Sequence, residues 1–259
     1  MSSSLEQSVK FFDHTLGLRD KMTLGTHGMI KGPGDNKRNV QKRTYRYSVA
    51  IAKASISAPV PDTGFQTILD KAVSGDEIGI DLVFFRQHAP CVTVNKAIIS
   101  SLSLDVKAGG VASFTADIVG AKYLFSASGM SSPANCAKLV TWDRCLVAAT
   151  GVNDSISSFH LSISNPPEPI YTSRWTSDME SNGMMPQKIR IGMQEVTGTL
   201  GVYGAPIINA PSTGTIDFQL NGQGEKVKVA FYQPKDDAST GPYIRTISFV
   251  GVYDGSIWS

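Results

Sequence analysis

The chain has 259 residues, of which 41% are hydrophobic and 18% charged, and its formal net charge is +2. That length and balance exclude a disordered chain and allow one large β domain or two small ones with a substantial core. A charge so near zero argues against a strong nucleic-acid or membrane-surface binder, and no apolar run reaches transmembrane length.

The N-terminus, MSSSLEQSVKFF, has no basic stretch followed by an apolar one, so no secretory signal is read there. In LEQSVKFFDHTLGL, Leu5, Val9, Phe12 and Leu16 fall at near-helical spacing and predict a short amphipathic helix. GMIKGPGDNKRNVQKR then reads as a loop or arm, made basic by Lys37, Arg38, Lys42 and Arg43, with Arg46 just beyond. Such a stretch could meet a phosphate or an acidic partner, but with no aromatic residue among its charges before Tyr45 and Tyr47 it reads first as a solvated loop. Residues 1–44 are thus expected to be a peripheral helix, arm and loop, and residues 45–259 a single β domain.

From Thr44 the run TYRYSVAIAKASIS alternates until Pro59 and Pro61 stop it. GFQTILDKAVSG, residues 64–75, predicts the one interior helix, with Phe65, Ile68, Leu69 and Val73 on one face and Gly75 at its end. DEIGIDLVFFRQ predicts a strand that ends before Pro90, and Val92 to Ile99 lead into the next segment. That segment, SLSLDVKAGGVASFTADIVG at 101–120, alternates on both sides of Gly109-Gly110 and predicts a hairpin. FSASGMSSPANC at 125–136 reads as a loop, and LVTWDRCLVAAT as an apolar strand. ISSFHLSIS alternates again, a long connection follows from Asn165, and EVTGTLGVYG is its alternating partner. IDFQL, EKVKVAFYQ and YIRTISFVGVYDG close the chain as three more strands. One interior helix and nine or ten strands predict a mainly β sandwich or barrel.

The two alternating pairs match each other. AIISSLSLDV aligns with DSISSFHLSI at a period of about 57 residues, and FTADIVG aligns with TGTLGVYG, placing Asp117 at Thr199 and Ile118 at Leu200. Two copies at this period do not make a solenoid; they predict two equivalent ribbons side by side in one sheet. Their polar faces are unusual, with mostly Ser and Thr, few carboxylates and one Lys. An ordinary solvated face would carry Lys, Glu and Arg freely. A wall past which a polyanion must slide is better built from hydroxyls, because cations would hold phosphates and carboxylates repel them.

No catalytic residue, metal ligand or cofactor is predicted. His14, His27, His88 and His160 are scattered, and His160 beside Ser158 and Ser162 has neither a nucleophile elbow nor an orienting acid. Asp76-Glu77 and Asp236-Asp237 read as acidic turns, and GPGDNK lacks the Lys-Ser/Thr ending of a phosphate-binding loop. Cys91, Cys136 and Cys145 form an odd set without a C-x-x-C, and are expected to be buried apolar fillers.

SISSFHLSISN followed by PQKIRIGMQEVTGTLGVYG, with IISSLSLDVKAGGVASFTADIVG before them, resembles phage tail tube proteins, also called major tail proteins, over about residues 78–255. The resemblance implies two packed, near-orthogonal antiparallel sheets with one flanking helix and an N-terminal arm. It implies that six copies close into a ring with four strands each in one inner barrel, and that rings stack into the tube of a virion tail, assembled in the host cytoplasm. Its partners would be itself, the tape-measure protein, the tail terminator and the baseplate or distal tail proteins. DNA would pass without specific binding, and no membrane would be involved. Carried onto this sequence, the lumen would be lined by Ser101, Ser103, Asp105, Ser113, Thr115, Asp117, Ser158, His160, Ser162, Glu195, Thr197 and Thr199. Leu102, Leu104, Phe114, Ile118, Phe159, Leu161, Ile163, Leu200 and Val202 would face the core. Ring-to-ring contacts would involve Lys37, Arg38, Lys42 and Arg43 of the arm, the 165–190 loop, and Lys107 at the rim, reaching a carboxylate of the next ring. Lys107 and His160 are the two residues that fit a neutral or acidic lumen least. The other functional class is a virion-associated β-sandwich binding module, carbohydrate-binding or capsid-decorating. Trp142, Trp175 and Trp258 lie far apart and form no evident aromatic row for it.

Overall fold

A computed structural model of the chain describes residues 7–11, 14–18, 21–24, 29–31, 45–47, 51–78, 83–86, 91–126, 138–152, 156–171, 186–203, 212–232, 235–237, 244–253 and 255–258. Five strands come first: β1 (Gln7–Phe11), β2 (His14–Leu18), β3 (Lys21–Leu24), β4 (Met29–Lys31) and β5 (Tyr45–Tyr47). They are followed by β6 (Ala52–Pro59), helix α1 (Phe65–Ser74), β7 (Val83–Arg86) and β8 (Cys91–Asn95). The middle of the chain holds β9 (Ile98–Lys107), β10 (Ser113–Gly120), β11 (Lys122–Ser126), β12 (Cys145–Ala149), β13 (Ile156–Ser164) and β14 (Pro167–Ile170). The last third holds β15 (Lys188–Ile191), β16 (Glu195–Tyr203), β17 (Ser212–Leu220), β18 (Gln223–Phe231), β19 (Lys235–Asp237) and β20 (Ile244–Gly251).

Eleven of these strands form one antiparallel sheet in the order β12-β17-β18-β20-β16-β13-β9-β10-β6-β3, with β19 added on β20. A second sheet of five runs β11-β8-β7-β1-β2, and β4-β5 and β14-β15 are separate pairs. The large sheet curls on itself. Phe159 of β13 lies 5.3 Å, centroid to centroid, from Phe218 of β17, although three strands separate them along the hydrogen-bonded path. Phe249 of β20 stacks on Phe159 at 6.3 Å. Each of these rings is fully buried, worth about 1.5–3 kcal/mol apiece in apolar area removed from water.

The curl is stitched by the segment leading into β12. Val140 N–H donates to Val60 O, Ala112 N–H donates to Val140 O, and Trp142 N–H donates to Gly110 O, so this segment joins the β6–β10 end of the sheet to the β12 edge. Helix α1 covers the mouth of the curl. Its buried face is Phe65, Ile68, Leu69 and Ala72, Phe65 meets Phe114 at 5.5 Å, and Gly75 closes it in a left-handed conformation with its N–H on Lys71 O. The helix start is tied to the β17–β18 turn: Gln66 N–H donates to Gln223 Oε1, and Gly224 N–H donates to Gln66 Oε1.

The helix expected in LEQSVKFFDHTLGL is overturned. β1 and β2 are an antiparallel pair, with Gln7 opposite Leu18 and Phe11 opposite His14, and β1 also joins β7. A helix of this length is marginal alone, whereas β7 offers a ladder of backbone partners. β3 likewise joins β6, so β1 and β2 lie in the second sheet and β3 in the large one, while β4 pairs with β5. TYRYSVAIAKASIS divides, since β5 pairs with β4 and β6 with β10. In DEIGIDLVFFRQ only Val83–Arg86 is a described strand, and Asp76 to Ile78 are not extended ladder. LVTWDRCLVAAT holds a 3-10 turn at Trp142–Arg144 before β12 begins at Cys145. The connection from Asn165 contains β14, paired with β15. Strands among the described residues number twenty, about twice the expectation.

Candidate functional site

Alternation places the site. In β9, Leu102, Leu104 and Val106 are buried while Ser101, Ser103, Asp105 and Lys107 point away from the core. β10, β13 and β16 follow the same rule with Phe114, Ala116 and Ile118, with Phe159, Leu161 and Ile163, and with Val196, Leu200 and Val202 inside. The four strands are neighbours in the order β10-β9-β13-β16, so the expected polar residues share one continuous face. β6 and β20 extend it on either side.

Register then lines the side chains into rows across the strands. The central row is Ser57, Thr115, Ser103, Ser162 and Thr197, five hydroxyls on five strands. One side of it holds Ser113, Asp105, His160, Thr199 and Ser248. The other side holds Ser55, Asp117, Ser101, Ser164 and Glu195. Ser55, Ser57, Ser164, Thr246 and Ser248 were not among the expected residues. Their signal was present as alternation in KASIS and RTISF, but no local pattern shows that β6 and β20 flank the ribbons.

Three pairs of these groups are joined side chain to side chain on the face. Ser101 Oγ donates to Asp117 Oδ2 at 2.9 Å, Ser57 and Thr115 hydroxyls meet at 3.1 Å, and His160 Nδ1 meets Asp105 Oδ1 at 2.7 Å. The His160 and Asp105 side chains are 40% and 62% exposed, so this pair is solvated and worth little as an anchor. The two residues that seemed foreign to the face are thereby placed: His160 spends itself on Asp105, and Lys107 stands at the end of β9 beside the turn. At that turn Gly109 has φ 73, in the left-handed region.

The two ribbons are related by a local two-fold axis normal to the sheet. β9 and β13 pair antiparallel, and Leu104 faces Leu161, its own counterpart in the sequence repeat. Ser103 opposite Ser162 therefore has the pair His160–Asp105 as its image. The axis also relates β10 to β16 and β6 to β20: Thr115 corresponds to Thr199, Ser57 to Ser248 and Ile56 to Ile247. This corrects the sequence alignment of the outer strands by two residues, so that Asp117 matches Gly201 and Thr115, not Asp117, matches Thr199. An even slip keeps every side chain on its face, which is why alternation alone did not detect it.

Other expected features fall elsewhere. Lys37, Arg38, Lys42 and Arg43 lie outside the described residues, as do Cys136 and most of the 125–136 loop. Cys145 is a free, half-buried thiol whose Sγ–H reaches Thr141 O at 3.4 Å, and burial pushes its pKa up to about 11. Among the described residues, no group of three or more His, Cys, Asp or Glu is placed to hold a metal ion. No helix among them is long and apolar enough to cross a membrane.

A comparison with known families bears directly on this panel. The family model for phage tail tube proteins matches residues 25–249, from before β4 into β20. The chain belongs to the phage tail tube protein family. It is a structural component of a phage virion tail and assembles with itself into the tail tube. The family is a structural one, not an enzyme family. No curated protein matches the chain. In this tube protein, the duplicated ribbons provide a broad hydroxyl-lined face on a rigid, well-packed sheet.

Proposed function

We propose that the panel formed by β10, β9, β13 and β16 is the lumen wall of the tail tube, with six copies closing their panels into one inner barrel and rings stacking along it. The observation that supports this is the five-hydroxyl central row, with Asp105 paired to His160 and Asp117 to Ser101 in the rows beside it. DNA crossing such a wall meets dipoles rather than cations, so counterion release gives it no reason to stay. The lumen-lining set is Ser101, Ser103, Asp105, Ser113, Thr115, Asp117, Ser158, His160, Ser162, Glu195, Thr197 and Thr199, with Ser57, Ser164 and Ser248 added. Strands running along the channel and rows running around it suit a closed barrel, which leaves no exposed sheet edge in the wall.

In this reading the two halves of the curled sheet pack near-orthogonally behind the wall, and the chain performs no catalytic step. The tape-measure protein fills the lumen during assembly in the host cytoplasm, and terminator and baseplate or distal tail proteins cap the ends. The basic segment Lys37–Arg43 supplies contacts between rings.

The test is site-directed labelling. Ser103→Cys should react with a bulky polymer-maleimide in the unassembled protein and be protected in assembled tubes, while a small maleimide reaches it in both. Equal reaction with the bulky reagent in tubes would sink the lumen assignment.

A further inference from the structure

The two-fold axis makes an unexpected feature visible. On the panel, three hydroxyl pairs are two-fold mates: Ser101 and Ser158, Thr115 and Thr199, and Ser113 and Thr197. Four charged or titratable side chains instead map onto uncharged ones: Lys107 onto Ser164, Asp105 onto Ser162, His160 onto Ser103 and Asp117 onto Gly201. Glu195 has no counterpart in β10, whose ladder begins at Ser113. The strand framework of the panel is two-fold symmetric, and on its polar face the charges break that symmetry.

Their placement is ordered. Asp105 and His160 neutralise each other near the centre when the imidazole is protonated. Asp117 and Glu195 share one outer row, with Ser101 and Ser164 between them. Lys107 stands in the opposite outer row, six residues along β9 from Ser101, about 20 Å away at strand rise. All three of these outer charges are exposed. Lys53 on the flanking β6 is also exposed, one row outside the carboxylates.

We infer that Asp117 and Glu195 of one copy receive Lys107 of a copy in the adjacent ring, so that rings stack carboxylate rim on ammonium rim and in one direction only. This rests on the lumen reading above, since the rows become rims only if the strands run along the tube. Turning a ring over would set carboxylates against carboxylates and lysines against lysines. Each solvated pair contributes little, but the contact repeats in every copy around the ring. Because the pairs are exposed, they weaken as salt shortens the screening length.

The test is charge reversal in the full chain, with assembly followed by sedimentation and electron microscopy. Lys107→Glu should elute and melt like the wild type yet need at least about tenfold more protein to form tubes at low salt. Adding Asp117→Lys and Glu195→Lys to it should restore assembly. Lys107→Gln should fall between, and moderate NaCl should erase the differences. Assembly of Lys107→Glu at the wild-type concentration would overturn the inference, as would a triple reversal no better than the single one. Should Lys107→Glu not fold, Lys107→Gln and the wild-type salt series decide: assembly of Lys107→Gln at the wild-type concentration, or wild-type assembly indifferent to NaCl, would overturn it. The labelled Ser103→Cys tube separates the two ideas. Protection there with indifferent Lys107 variants defeats the rim contact alone, and loss of protection defeats the lumen reading.

Discussion

Ser100 and Ser157 are skipped at the same place in two different ladders. On β9 the partners of β10 jump from Ser101 to Ile99, and on β13 the partners of β16 jump from Ser158 to Ile156. Each bulged serine then offers its carbonyl to the end of the neighbouring strand: Asn165 N–H donates to Ser100 O and Ala108 N–H donates to Ser157 O, both at 2.8 Å. A bulge bends and twists its strand. Matching bulges therefore give the two halves of the panel the same curvature, as the proposed lumen wall would need.

The first prediction follows from that symmetry. Leu104 and Leu161 are cross-strand partners and each is 1% exposed. Leu104→Ala and Leu161→Ala should each cost about 2–5 kcal/mol, and the two costs should agree within about 1 kcal/mol. The double variant should cost measurably less or more than the sum, because the residues touch one another's sites. Urea melts of the three proteins check this, and strict additivity with unequal single costs would contradict it.

Much of this was legible in the sequence, and the exceptions have physical causes. β9, β10, β13 and β16 alternate over eight to ten residues with Gly109 marking a turn, so a short-range rule suffices. α1 declares itself by Phe65, Ile68 and Leu69 ahead of Gly75. β1 and β2 do not, because Leu5, Val9, Phe12 and Leu16 satisfy a helical period while the deciding partner, β7, lies far along the chain. The equivalence of β6 and β20 is hidden in another way. Ser55-Ile56-Ser57 and Thr246-Ile247-Ser248 are alike, but one precedes its ribbon and the other follows.

Asn165 should be the most sensitive polar residue of the fold. It is fully buried, its Nδ2 donates to Ala72 O and Ile99 O, and its Oδ1 accepts from Gln194 Nε2. Gln194 in turn donates to Ala72 O and Val73 O and accepts from Trp258 Nε1 at 2.7 Å. The relay satisfies carbonyls at the end of α1 and ties down the C-terminal segment. Asn165→Ala should cost about 2–4 kcal/mol. Asn165→Asp should cost more, since it sets a carboxylate against two carbonyl oxygens. Chemical denaturation would refute this if both variants stayed within about 0.5 kcal/mol of wild type.

A pH dependence is expected where α1 meets β18. Gln66 Nε2 bridges Asp70 Oδ1 at 2.7 Å and Glu225 Oε1 at 3.0 Å, holding two carboxylates near one another. Partial burial, and then the charge of Asp70, raise the Glu225 pKa above its ordinary 4.5, against the lowering effect of the Gln66 bond. A raised carboxyl binds its proton more tightly in the folded state. Its contribution is thus favourable below pH 4.5 and is lost as pH rises through the folded value. Glu225→Gln should slightly stabilise the protein at neutral pH, and the gain should vanish on acidification. Melting temperatures across pH 3–8 test the sign, and a gain that grows toward acid would be inconsistent with it.

The final prediction concerns passage through the tube. Ser103 lies in the central row beside Ser162 and Thr115, with no charge in that row. On the proposed lumen wall, Ser103→Lys would put one ammonium per copy into every ring, and a tube of many rings would then present a long ladder of phosphate contacts. Each contact is weak, but the binding constant falls steeply with salt because every neutralised phosphate releases a counterion. Particles carrying Ser103→Lys should assemble in normal yield, eject DNA more slowly, and lose at least about tenfold in infectivity at low salt, with partial recovery as salt rises. Ser103→Asp adds the opposite charge at the same site and should leave ejection near normal, because repulsion does not retain a polymer that is already being driven out. The two substitutions share a position and carry opposite charges, so a salt-dependent difference between them reports adhesion. Equal ejection rates for both would mean that the hydroxyl wall is not what keeps DNA from sticking.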